Sequence, residues 1–219
     1  MSGTQIIIYV HICQFLHWQI LFTKIMNAIK ESGLYDQCKE IRLGIVNHID
    51  KVVDEPILND PKISCIIHGH CSLYERNTLL HIRKKSEEEY AQYLYVHTKG
   101  LKYLDGSRGQ FESDCVKDWV DLMIHWNIYN WRKATEMLIS NDVYGCEFFR
   151  DPQPHFSGNF WWANSRYIQT LPKEIGSEYC DPEFWICKRD NPIICNIFST
   201  GLPNGGSLYS NRIIKGIHY

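Results

Sequence analysis

The segment from His155 to Asn164 combines hydrogen-bonding side chains with large aromatic rings. It reads His-Phe-Ser-Gly-Asn-Phe-Trp-Trp-Ala-Asn and fits neither the two-residue period of a strand nor the 3.6-residue period of a helix. Aromatic faces stack on the C–H faces of sugars, while serine, asparagine and histidine side chains hydrogen-bond hydroxyl groups. The composition therefore indicates a carbohydrate-like ligand. The alternative is a buried turn whose polar groups are satisfied locally.

Cysteine and histidine usage bears on redox state and metal binding. The chain has nine cysteines and no Cys-x-x-Cys pair, and Cys65 lies inside an apolar run. We therefore expect reduced thiols and a cytoplasmic protein rather than a disulfide framework. His68-Gly69-His70-Cys71 has the residue types of a metal site. It lacks a second ligand pair at zinc spacing, so the sequence favours a loop that leaves a strand.

Overall composition does not indicate a nucleic-acid or membrane partner. The 219 residues carry a net charge of −2, with 44% hydrophobic and 22% charged residues. This balance gives no case for nucleic-acid binding. The apolar beginning of the chain is interrupted by His11, Gln14, His17 and Gln19, so it predicts no membrane span. The length predicts one domain, or one domain with an appendage, and allows a sizeable core.

Hydrophobic periodicity places these residues on an alternating series of strands and helices. Strands are predicted over residues 6–10, 41–46, 63–67, 90–96 and 142–149, and helices over 15–29 (ended by Gly33), 77–85, 114–126 and 130–139. This alternation predicts an α/β fold with a mostly parallel central sheet flanked by helices.

Polar residues follow four of the predicted strands. They are His11, Asn47, His68 and His97. Ligands of open α/β sheets sit at the carboxyl ends of the strands, so these residues are candidates for one edge of a cleft. The alternative is that strand ends are polar in any case.

Four motifs occur in a fixed order along the chain. They are Tyr95-Val96-His97-Thr98-Lys99-Gly100, Val116-x-Asp118-Trp119 with Met123, the segment from His155 to Ala163, and Glu183-x-Trp185, with Tyr74-Glu75 ahead of them. On these motifs the chain resembles the small GT-A-type glycosyltransferase domains encoded by large DNA viruses such as the chlorella viruses. The resemblance covers roughly residues 9–188.

The resemblance implies a single Rossmann-like GT-A domain over residues 1–219, with a nucleotide-sugar-binding half to about residue 110 and an acceptor half from about residue 111. It implies transfer of a sugar from a UDP-sugar to a hydroxyl group of a glycan or glycoprotein acceptor, commonly with manganese, in the host-cell cytoplasm. The residues that it assigns, with the strand ends, to donor binding are His11, Asn47, Tyr74, His97, Thr98, Lys99 and Gly100. Those assigned to the sugar or acceptor are His155, Ser157, Gly158, Asn159, Trp161 and Trp162, with one tryptophan lining the site and the other in the core.

The chain departs from the GT-A pattern at the cation site. Such enzymes carry Asp-x-Asp at the end of the fourth strand, where this chain has His97-Thr98-Lys99, and no Asp-x-Asp occurs elsewhere. Lys99 could neutralise the phosphates as a point charge. Alternatively, His97 or His155 with a carboxylate could hold Mn²⁺ or Mg²⁺. The sequence favours Lys99 and leaves metal use open.

Sugar transfer requires a base for the acceptor hydroxyl and stabilisation of the leaving diphosphate. Glu183 is the first candidate base, because Asp181-Pro182 predicts a helix with Asp181 as its N-cap and places Glu183 in the first turn. The alternative is an ordinary first-turn glutamate favoured by the helix dipole. Asp181 is the second candidate and Asp118 the next. A lectin-like carbohydrate-binding module and a catalytically degenerate GT-A scaffold remain as alternative functions.

Overall fold

The computed structural model describes residues 4–49, 51, 55–103 and 109–201, and its centre is a seven-stranded sheet. The strand order is β3-β2-β1-β4-β8-β5-β9, and β6 pairs with β7 in a separate two-stranded sheet. Neighbours in the large sheet are parallel except where β8 runs antiparallel to β4 and β5. The strands are β1 (Gln5–Cys13), β2 (Cys38–Asn47), β3 (Ile63–His70), β4 (Ala91–His97), β5 (Val143–Gly145), β6 (Phe148–Phe149), β7 (His155–Phe156), β8 (Trp161–Asn164) and β9 (Ile194–Asn196).

Helices cover both faces of this sheet. They are α1 (Trp18–Glu31), α2 (Leu34–Gln37), α3 (Arg76–Ser86), α4 (Gln110–Ile124), α5 (Trp131–Met137), α6 (Ser165–Ile168) and α7 (Asp181–Trp185), with a π-helical turn at His125–Tyr129 between α4 and α5. None of the helices in the described ranges is long and apolar enough to cross a lipid bilayer.

Strand β1 shows why the sheet is buried on both faces. Ile6, Ile8 and Val10 pack into the core on the side of α1 and α4, while Ile7 and Tyr9 pack into the core on the side of α3. Alternate residues of a strand point to opposite faces, so a continuous apolar run fills both cores. The predicted α/β class and mostly parallel sheet are therefore confirmed.

Two local predictions are wrong. Residues 142–149 do not form one strand, since β5 pairs with β8 and β9 whereas β6 pairs with β7. The chain turns between them at Glu147, whose φ is 55°. Asp181 is not an N-cap, because Cys180 occupies that position and the Asp181 carboxylate accepts the backbone N–H of Glu178 at 2.9 Å. The predicted helix end at Gly33 is confirmed by its left-handed φ of 74°.

The strand order reverses direction between β1 and β4. From β1 the chain moves outward through β2 to β3, then returns to β4 on the other side of β1. At such a switch point the connections leave the strand ends in opposite directions, which opens a crevice at the carboxyl edge of the sheet. His11 and His97 are register partners at this edge.

Candidate functional site

A pocket of about 670 Å³ lies at the carboxyl ends of β1 and β4. The two strand ends contribute His11 and His97, the segment after β4 contributes Lys99, and α7 contributes Glu183. The pocket therefore coincides with the crevice expected from the strand order.

The floor of the pocket contains two buried histidines. His11 is 4% exposed and His97 is 7% exposed. Burial, which disfavours the charged imidazole, lowers the pKa of His11 to about 4 and that of His97 to about 3. Both rings are therefore neutral at pH 7. The Nδ1 atom of His11 lies 2.8 Å from the hydroxyl of Thr78 on α3, which fixes the ring.

The backbone of Gly158 connects His97 with Glu183. His97 Nε2–H donates to the Gly158 carbonyl at 2.8 Å, and the Gly158 N–H donates to Glu183 Oε1 at 3.0 Å. Gly158 has a φ of 89°, and a Cβ atom there would lie 2.2 Å from Met123 Sδ. Only glycine fits this position without displacement of the backbone. The backbone N–H that holds the Glu183 carboxylate therefore depends on glycine at position 158.

Glu75 is a pocket residue to which the sequence assigns no individual role. Its Oε2 accepts hydrogen bonds from the Tyr95 hydroxyl at 2.7 Å and from the Asn159 amide at 2.5 Å. Its Oε1 lies 3.8 Å from His97 Nδ1. This contact is not an ion pair, because the low pKa of His97 keeps the ring neutral and Nε2 carries its proton. Glu75 therefore anchors the turn that contains Asn159.

Lys99 is the partly exposed cation of the turn after β4. Its Nζ lies 4.9 Å from the ring centroid of Trp119 on α4, a cation–π distance. The turn is held by the Thr98 N–H, which donates to the His11 carbonyl at 3.0 Å. Gly100 has a φ of 80°, and a Cβ atom there would lie 2.3 Å from Val116 Cγ1. This close approach of the turn to α4 places Lys99 in the pocket wall.

Two exposed tyrosine rings at the pocket lie outside the segment from His155 to Asn164, and one of them, Tyr74, is among the predicted donor-binding residues. Tyr74 is 42% exposed and Tyr179 is 67% exposed, and their centroids lie 5.1 Å apart in an edge-to-face arrangement. Both rings line the pocket. Tyr179 was not identified from the sequence, since it belongs to none of the four motifs.

Several predicted site residues lie outside the pocket lining. Trp161 and Trp162 are both fully buried, so the expectation that one of them lines the site is wrong. Each indole is satisfied internally: Trp161 Nε1–H donates to Asn159 Oδ1 at 3.0 Å, and Trp162 Nε1–H donates to the Asn127 carbonyl at 2.8 Å. The buried-turn alternative therefore describes these rings.

Four further predicted residues have structural contacts instead. His155 is buried against Phe184, with ring centroids 5.4 Å apart, and Ser157 is buried with its N–H bonded to the Glu147 carbonyl. The Asn47 amide donates to the Lys51 carbonyl at 2.7 Å. Asp181 closes the turn that precedes α7. None of these four residues lines the pocket.

The pocket does not provide an oxygen-rich site for Mn²⁺ or Mg²⁺. Glu75 and Glu183 are the only carboxylates among its described lining residues, and Glu75 Oε2 already accepts two hydrogen bonds. Hard divalent cations require several oxygen ligands, so this donor set does not fit them. His155, the other imidazole considered from the sequence, lies outside the pocket.

No protein-family model matches the chain, and no curated protein matches it.

Proposed function

We propose that the chain is a glycosyltransferase that moves a sugar from a UDP-sugar to a hydroxyl group of a glycan or glycoprotein. The observation that carries the proposal is the pocket at the switch point, which combines Lys99, Glu183 and two exposed tyrosine rings. Dinucleotides and mononucleotides bind at this position of open α/β sheets. The resemblance of motifs around Lys99, Gly158 and Glu183 to GT-A domains agrees with this assignment.

Positive charge for the diphosphate would come from lysine. Lys99 and Lys102 both line the pocket, and neutral His11 and His97 add no charge to it at pH 7. A lysine ammonium stabilises negative charge that develops on a leaving phosphate oxygen. Tyr74 offers an exposed ring for stacking on the nucleobase or sugar.

Glu183 would be the base that deprotonates the acceptor hydroxyl. The Gly158 N–H fixes its Oε1 at 3.0 Å, while no hydrogen bond within the described part of the chain occupies Oε2. A carboxylate with one oxygen fixed and the other oxygen available can accept a proton from a bound hydroxyl. Glu183 lies in the pocket wall, unlike Asp181.

The donor assignment is tested by calorimetric titration with UDP, GDP, CMP and ADP, each with and without manganese. We expect selective binding of UDP, because the resemblance to GT-A domains implies a UDP-sugar donor. Equal affinity for all four nucleotides, or no binding, would refute the donor assignment. Selective UDP binding without turnover of any UDP-sugar would instead favour the degenerate scaffold.

The base is tested with a matched pair of carboxylate-to-amide variants. Glu183→Gln keeps the acceptor oxygen for the Gly158 N–H but cannot take a proton, so sugar transfer should fall about 10²–10⁴-fold while UDP-sugar affinity is retained. Asp181→Asn should retain transfer and lose about 1 kcal/mol of stability or less, since its carboxylate only closes a turn. Parent-like turnover of Glu183→Gln would exclude Glu183, and loss of turnover in Asp181→Asn alone would assign the base to Asp181.

The lectin-like alternative receives less support from the geometry. It relied on exposed rings in the segment from His155 to Asn164. Phe156, Phe160, Trp161 and Trp162 are at most 1% exposed, so that segment offers no aromatic face to a sugar. A lectin would also show no preference for a nucleotide, which the calorimetric titration measures.

A further inference from the structure

Three side chains with zinc-binding chemistry meet beside the pocket. Among the residues that the structure describes, His48, His70 and Cys71 form the only group of three or more such side chains whose ligand atoms lie within 4.8 Å of one another. Sequence spacing separates His48 from the other two, which is why the motif at His70-Cys71 lacks a partner in the sequence alone.

Strand register explains how the group forms. Asn47 at the end of β2 is the register partner of His70 at the end of β3. These strands are parallel and end at the same edge of the sheet, so the next residue of each strand emerges beside the other. His48 and Cys71 are these next residues, and both line the pocket. The fold therefore supplies the third ligand that the sequence motif lacks.

We propose that His48, His70 and Cys71 bind a zinc ion whose fourth coordination position opens toward the pocket. Two imidazoles and a thiolate are preferred by zinc and disfavoured by Mg²⁺ or Mn²⁺. Three protein ligands with one open position is the arrangement of zinc sites that accept water or another small ligand. The assignment is independent of the proposed glycosyltransferase activity.

Distances between the ligand atoms suit a tetrahedral ion after small side-chain movements. Zn–N and Zn–S bonds of about 2.0 and 2.3 Å at a tetrahedral angle require nitrogen and sulfur to be about 3.5 Å apart. The Cys71 Sγ atom lies 3.0 Å from His48 Nδ1 and 4.0 Å from His70 Nε2, on either side of that value. His48 is exposed and Cys71 is partly exposed, so both can adjust without disturbing the core.

Ser72 provides an outer partner for one of the ligands. Its hydroxyl oxygen lies 2.8 Å from Nδ1 of His70. Nδ1 also accepts the Ser72 backbone N–H at 3.2 Å, so zinc binding through Nε2 requires the ring proton to move to Nδ1 and this backbone hydrogen bond to be exchanged for one from Nδ1–H to the hydroxyl. Histidine ligands commonly donate their second ring N–H in this way, which fixes the tautomer and orients the ring.

The proposal is tested with Zn²⁺ and Co²⁺ alone, using the full chain after removal of metal by a chelator. Calorimetry should give one Zn²⁺ per chain, and Co²⁺ should give the near-ultraviolet charge-transfer band of a cobalt–thiolate bond. Cys71→Ser and His48→Gln should each weaken Zn²⁺ binding more than about 100-fold, because loss of an outer partner alone costs about 10–100-fold. Cys180→Ser and His17→Gln change an exposed cysteine and an exposed histidine outside the group, and they should bind Zn²⁺ as the parent does.

Alkylation of Cys71 gives a second readout. Zn²⁺ should protect Cys71 from iodoacetamide while leaving Cys180 reactive, as measured by peptide mass spectrometry. Parent-like Zn²⁺ affinity in folded Cys71→Ser and His48→Gln, or no Zn²⁺ binding by the parent, would overturn the assignment. Because UDP binding is measured without zinc, failure of this site and failure of the donor site are distinguishable.

Discussion

Gly158 offers a direct test of the geometry at the pocket. Replacement by alanine adds a Cβ atom that would lie 2.2 Å from Met123 Sδ and 2.7 Å from Trp119 Cζ2. The backbone also has a φ of 89°, in the region that disfavours side chains. The left-handed conformation costs about 1–2 kcal/mol and overpacking about 1–3 kcal/mol, so Gly158→Ala should lose about 2–5 kcal/mol of unfolding free energy.

Gly33→Ala is the matched control for the backbone contribution. Gly33 also has a positive φ, 74°, but its nearest non-adjacent atom to an added Cβ is 3.8 Å away, an ordinary van der Waals distance. It should therefore lose only the conformational part, about 1–2 kcal/mol. Urea unfolding of the two variants separates the free energy lost to the contact with Met123 from the free energy lost to the left-handed backbone.

The same substitution should also affect sugar transfer. Relief of the contact with Met123 must move the Gly158 backbone, which accepts from His97 and donates to Glu183. A displacement of about 1 Å in a catalytic group costs about 100-fold in rate, so folded Gly158→Ala should lose transfer while Gly33→Ala retains it. Equal stability losses in both variants, or full transfer activity in Gly158→Ala, would refute the structural argument.

Three further predictions concern Lys99, His97 and Glu75. Lys99→Ala should weaken UDP binding by about 1.5–3 kcal/mol, the scale of a charge-assisted hydrogen bond, whereas Lys117→Ala on the exposed side of α4 should leave calorimetric UDP affinity unchanged. Because the pKa of His97 falls to about 3 on folding, the unfolded state binds the proton more tightly and stability falls as pH drops below about 6.5. His97→Gln should therefore reduce the loss of unfolding free energy between pH 7 and pH 5 by about 2 kcal/mol in denaturant titrations, and an unchanged loss would contradict a neutral buried ring. Glu75→Gln keeps an acceptor oxygen for Tyr95 and Asn159, so it should lose less unfolding free energy than Glu75→Ala. The alanine variant leaves both donors unsatisfied, at about 1–3 kcal/mol each. Equal thermal stability of the two variants would show that these hydrogen bonds do not hold the turn.

Strand positions could be predicted from the sequence because burial on both faces leaves a plain signal. The continuous apolar run at residues 6–10 lies within β1, which extends three residues further to Cys13, and residues 90–96 match β4 within one residue at each end. The sequence also predicts a strand over residues 142–149, yet the chain turns at Glu147, a buried glutamate at a positive φ. Periodicity reports burial, and it does not report such a turn inside a buried run.

The aromatic rings of the segment from His155 to Asn164 do not line the pocket, because the segment is a buried turn whose polar groups are hydrogen-bonded internally. The sequence from His155 to Asn164 supports either an exposed sugar-binding loop or a buried turn. Asn159 resolves this, because its amide donates to Glu75 and its oxygen accepts from Trp161. These partners lie on separate elements, so only the fold reveals that the polar groups of the motif are used internally.

Other residues at and beside the pocket meet only through contacts between distant parts of the sequence. Cys71 and His48 are 23 residues apart, and no spacing rule connects them before β2 and β3 are set in register. Glu75 reaches the pocket from the start of α3, where it contacts Tyr95 on β4 and Asn159 before β8. Such contacts depend on strand order, which local sequence patterns do not encode.

The positions of the charged side chains in the pocket bear on where the diphosphate and the acceptor of the proposed reaction would bind. Histidines aside, the charged side chains of its described lining are Lys99, Lys102, Glu75 and Glu183, and their formal charges cancel. A diphosphate is therefore attracted by the position of the lysines rather than by net charge, and it is repelled where the carboxylates lie. An acceptor hydroxyl carries no charge and can approach Glu183. Under the proposed reaction, Lys99 in the turn after β4 would meet the diphosphate and Glu183 on α7 would meet the acceptor hydroxyl.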